Sequence, residues 1–282
     1  MAEAGKQVDP ESRFTAVMVA ASKMPGVRIN REAYLAKALG RYCSDEQIRV
    51  AIAETPAAAG ISLDILGKAA DDSIKWETGK VTTLSAAAGV PGGWAVTATI
   101  PADITQYFAH VVRIAQKLAY LYSWPDLFDG EEPDDATMGI LTIFIGVMFG
   151  ASAANVGLAK VAEQLSKQAL KKLPQMALTK GAIYPIVKTV AGYLGVRMTK
   201  QVFAGGVAKI LPVLGGVASG ALTLATFLPM SMRLKKHLSS LELTKPMGTG
   251  EPAGTEELVV VEADAVEIVV ESVEGDEESS AA

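Results

Sequence analysis

A single cysteine, Cys43, leaves no partner for an internal disulfide, so packing must hold this 282-residue chain together. Two histidines and one cysteine cannot supply the usual zinc ligand sets. Charged residues are few, at 20%, and aromatic residues fewer, at 6%. Glycine and proline stay far below collagen-like levels, with 26 and 13 residues. What is abundant is apolar: 50% of residues are hydrophobic, and mean hydropathy is +0.27. Disorder is excluded for the body of the chain, and the length can bury a sizeable core.

Acid is nearly absent from the middle. Residues 1–135 carry 13 basic and 18 acidic residues. Residues 136–237 carry 12 basic residues against Glu163 alone, a net charge of +11. Residues 238–282 set Lys245 against 12 acids, a net charge of -11. A basic, apolar middle with an acidic end is the main asymmetry.

The start MAEAGKQVDPESRF has no basic segment leading into an apolar one, Ala2 is not a myristoylation glycine, and SSAA is no prenylation box. The expectation is a cytoplasmic protein whose membrane contact comes from internal segments. Three uncharged stretches reach spanning length: Val81–Ala102, Ala136–Ala159 and Ile210–Met232. Prolines and glycines interrupt the first and third, and basic residues flank the third on both sides, giving it no direction. A helical hairpin, buried or lying in the interface, fits better than three spans.

The pattern predicts an all-α, multi-helix bundle. Helices are expected over 10–24, from the Asn30 cap to Leu39, over 45–54 behind a Ser44/Gln47 capping box, and from Ser62 to Gly79. Others follow from Pro101 to Trp124, then over 133–150, 155–173, 176–192, 196–208 and 213–240. The expected organisation is a flexible start (1–12), a helical domain (13–244) and an acidic, disordered tail (245–282). Within the tail, Leu258–Val270 could instead add a strand to a partner.

No phosphate loop, zinc-protease motif or hydrolase elbow is present. Gly5-Lys6, Gly67-Lys68 and Gly79-Lys80 are followed by Gln7, Ala69 and Val81 rather than Ser or Thr. One helix does carry an organised polar line. Asp103, Gln106, His110, Arg113 and Lys117 recur at helical spacing, opposite Ile104, Phe108, Val111, Ala115, Leu118 and Tyr122. This is either an ordinary amphipathic helix whose Asp103 complements the N-terminal dipole, or a polar site in which Asp103 and His110 share a proton or hold a ligand. Gly216 and Gly220, four apart, suit close helix packing or membrane insertion.

Four stretches resemble the bacterial EcsC family: MPGVRINREAYLAKAL (24–39), CSDEQIRVAIAETPAAAGIS (43–62), PGGWAVTATIPADITQYFAHVVRIAQKLAYLYSWPDL (91–127) and ILPVLGGVASGALTLATF (210–227). The resemblance covers roughly 13–240, and its most specific part is the long central string. Thr223-Leu224 departs from it, standing where a polar-aromatic pair is common. The resemblance implies an α-helical bacterial protein acting at the membrane, with no agreed activity or cofactor and no site to carry over.

Two function classes follow. In the first, a non-enzymatic, membrane-associated protein, accessory to transport or envelope processes, docks on an anionic membrane surface or a membrane protein. Its docking residues would be Lys160, Lys167, Lys171, Lys172, Arg233, Lys235 and Lys236, at the inner face of the membrane, with an integral hairpin as the stronger form. In the second, a soluble helical binding protein or enzyme uses Asp103, Gln106, His110 and Arg113 to line a pocket. No metal, cofactor or nucleic acid is expected in either.

Overall fold

Side-chain caps set where the early helices begin. Asp9 accepts the Ser12 amide at 3.4 Å with Pro10 in the first turn, starting α1 (Pro10–Ser22). Asn30 accepts the Ala33 amide at 2.8 Å and starts α2 (Arg31–Leu39). The Ser44/Gln47 capping box forms at the head of α3 (Asp45–Ala53). Ser62 accepts the Ile65 amide at 3.4 Å before α4 (Leu63–Ala88). After α5 (Ala102–Leu121), Asp134 caps α6 (Asp135–Met148), accepting the Thr137 amide at 2.7 Å. Helices α7 (Ser152–Lys167), α8 (Gln175–Thr179), α9 (Tyr184–Ala208) and α10 (Gly215–Ser239) follow, then a 3-10 turn, Glu242–Thr244.

The computed structural model describes residues 9–88, 102–128, 130, 133–167, 172–208 and 215–246, with backbone alone at 84–88, 102–103, 198–208 and 215–223. The chain divides into Met1–Thr249, which holds these helices, and Gly250–Ala282, which lies outside the described residues. The described residues form helices and turns, with no strand, so the fold is an all-α bundle. The tail, with its Val-rich stretch, and the turn of the expected Gly-rich hairpin lie outside the description.

Helix α6 is the centre of the bundle. Twelve of its 14 residues are buried, because α5, α7, α8, α9 and α10 all pack around it. A helix apolar on every side is stable in water only when so enclosed. Gly146 lets α7 and α9 close in: a β-carbon there would stand 2.7 Å from Ala154 Cβ and against Val190. The smooth stretch 136–159 is divided between α6 and α7, as the expected helices over 133–150 and 155–173 place it. Gly150, at φ +78°, ends α6 in a left-handed cap; its amide donates to the Val147 carbonyl at 3.0 Å, and the Ala151 amide donates to Gly146 at 2.8 Å. Among the described residues, no helix is long and apolar enough to cross a membrane.

The region 176–208 also departs from expectation. The short α8 ends at Thr179, and α9 then runs unbroken through Gly192 and Gly195. Pro185 falls in the first turn of α9, where its missing amide costs no hydrogen bond. Gly195 receives the Pro10 carbonyl of α1, so its bare backbone serves packing rather than a helix end.

Candidate anion-binding site

Helices α4 and α5 pack side by side. On α4, the buried stripe runs Leu66, Ala70, Ile74, Glu77, Val81. Glu77 thus occupies a core register and is fully buried. On α5, His110, Arg113 and Lys117 fall on one face and converge on that carboxylate. His110 Nδ1 lies 3.0 Å from Oε2, Lys117 Nζ donates to Oε1 at 2.5 Å, and Arg113 Nη2 donates to Oε1 at 3.2 Å. Arg113 Nε also reaches Oε1, at 3.3 Å.

Burial alone pushes the Glu77 carboxyl upward. The His110 hydrogen bond and the charges of Lys117 and Arg113 outweigh it and hold the group well below the ordinary carboxylate range. Burial pulls the Lys117 ammonium down, against the stabilising pull of Glu77. An ionised carboxylate accepts hydrogen bonds and cannot give them, so His110 Nδ1 carries the donated proton. In neutral imidazole, Nε2 is then the free acceptor.

Arg113 and His110 also form one wall of a cavity of about 730 Å³. Gln106 and Ala109 continue that wall along α5. Lys75, Trp76, Gly79, Lys80 and Thr83 of α4 form the second, and Met24, Pro25, Gly26 and Val27 form the rim. Gln116, fully buried, fixes that rim: it accepts the Ile29 amide at 2.9 Å and donates to the Val27 carbonyl at 2.9 Å. Gly26, at φ +75°, turns the chain directly over Arg113, whose Nη1 is 3.8 Å from where a β-carbon would sit. Four bases and no acid line the cavity among the described residues. Glu77 meets two permanent cations with one negative charge, so the local balance stays positive.

Of the residues expected to line a pocket, Gln106, His110 and Arg113 do so. The Asp103 side chain lies outside the described residues, and the carboxylate that meets His110 is Glu77. Glu77, Lys75, Trp76 and Lys80 are additions from α4. A signal for Glu77 was present, since it stands where the apolar stripe of α4 calls for an aliphatic residue.

The proposed docking residues fall into different settings. Lys235 donates to Asp71 at 2.6 Å, joining α10 to α4, and Arg233 donates to the Met148 carbonyl at 2.6 Å. Lys160 and Lys172 are exposed, Lys167 pairs with Glu163 at 2.5 Å, and Lys171 is outside the described residues. Among the described residues, no group of His, Cys, Asp or Glu is placed to hold a metal ion.

No family model, curated protein or solved structure matches the chain.

Proposed function

We propose that the chain is a helical binding protein that takes an anionic ligand in the cleft between α4 and α5. One observation carries this reading. A fully buried glutamate orders His110, Arg113 and Lys117, and two of these three bases form the wall of a cavity that Lys75 and Lys80 also line. Glu77 holds the Nε and Nη2 side of the Arg113 guanidinium in place, which leaves the Nη1 side, beside the flexible Lys75 and Lys80 ammonium groups, to meet a phosphate or carboxylate. Calorimetric titration with inorganic phosphate tests it. Lys75 and Lys80 are exposed, so Lys75→Gln with Lys80→Gln should leave the melting temperature unchanged and weaken binding about tenfold. Absence of saturable phosphate binding at low salt would overturn the reading.

A second reading, an EcsC-like protein acting at an anionic membrane surface, draws support from the outer layer over α6. There Lys160, Lys172, Lys180, Lys188 and Arg197 are exposed along with Val156, Met176, Tyr184 and Val196. It expects flotation with vesicles containing phosphatidylserine, lost on Lys160→Glu with Lys180→Glu and Lys188→Glu. Equal flotation of that variant would remove the reading.

A further inference from the structure

We propose that the anion held in this cleft carries a flat conjugated ring, which stacks on Trp76 while its phosphate or carboxylate meets Arg113, Lys75 and Lys80. The proposal rests on the anion-binding reading above and adds the chemical class of the ligand.

Three observations on α4 point to it. Trp76 is 62% exposed, the most exposed aromatic side chain among the described residues, and it lines the cavity. The Lys80 ammonium lies 5.0 Å from its ring centroid, so a cation–π contact holds the indole beside a charge that an anion would seek. Gly79, one turn on from Trp76, sits inside the helix, and nothing described lies within 4 Å of where its β-carbon would stand.

Gly79 decides between kinds of ligand. A glycine inside a helix weakens it relative to alanine. Gly146, also inside a helix, lets another helix approach, whereas Gly192 in α9, like Gly79, has no described group within 4 Å of its β-carbon position. At Gly79 no described group fills the space, which lies beside Trp76, Lys80 and Thr83 on the cavity wall. A bare backbone strip next to an indole leaves room for a group lying against the ring. A planar ring fills it by offset stacking, whereas a simple inorganic anion would leave the indole wet. Met24 and Pro25 on the rim supply further apolar contact.

The test compares 1-naphthyl phosphate, butyl phosphate and inorganic phosphate by calorimetry on the full chain. The naphthyl ester should bind at least tenfold more tightly than the butyl ester. Trp76→Ala and Gly79→Leu should each abolish that advantage, bringing the naphthyl ester to the affinity of the butyl ester. Gly79→Ala should raise the melting temperature while weakening the naphthyl ester, a pairing that a purely structural glycine cannot produce. Equal affinity of the two esters, or an advantage that survives Trp76→Ala, overturns the ring while phosphate binding still stands. If none of the three probes binds, the anion reading fails and the ring falls with it.

Discussion

The Lys117 ammonium lies 2.5 Å from the Glu77 carboxylate, across 40 residues of sequence, with both side chains nearly out of water. Such a pair is costly to desolvate and costlier to break. Glu77→Gln strands Lys117 and Arg113 as unpaired like charges, so it should destabilise the fold by about 3–5 kcal/mol. Lys117→Met should cost less, because Glu77 keeps Arg113 and His110. In urea denaturation the double variant should lose less than the two single losses added together. Additive losses would mean that the two groups act independently.

Acid should reveal the same group. The folded carboxyl of Glu77 titrates below its ordinary value of 4.5, so the native state holds that proton less tightly than the unfolded chain does. Its contribution is therefore fully present above the unfolded value and is lost as pH falls through the folded one. Melting temperature between about pH 6 and pH 3 should fall more steeply for the natural chain than for Glu77→Gln. Parallel profiles would show that other carboxylates govern acid unfolding.

Gly146 offers a test of the core. A methyl group there would meet Ala154 Cβ at 2.7 Å and collide with Val190, which belongs to another helix. Gly146→Ala should destabilise by about 1–3 kcal/mol despite its gain in helix propensity. Adding Val190→Ala should recover part of that loss, since it returns the space. A stabilised Gly146→Ala, measured by denaturant midpoint, would contradict the packing described for α6.

Helix starts were readable in the sequence because a cap is local. Asn30, Ser44 and Ser62 each bond an amide three residues on, and no distant group is needed. The end of α6 was legible too, since the helix expected over 133–150 stops at Gly150, which takes the left-handed turn. The break expected between 192 and 196 was not: α9 runs through Gly192 and Gly195, and Gly195 packs against Pro10, far away in the chain.

The sequence by itself determined the all-helical class and the polar line of α5, because both follow from spacing along one segment. It placed Gln106, His110 and Arg113 on one face and left open what they faced. Only the tertiary structure decided that, by laying the buried register of α4 against α5 and bringing Glu77 to their centre. It also turned two members of one basic block, Arg233 and Lys235, into ties between helices while Lys160 stayed in solvent. The reason is physical. A charge declares its type in the sequence, but its cost and its partner depend on which surfaces lose water together, and that is settled only when helices distant in the chain meet.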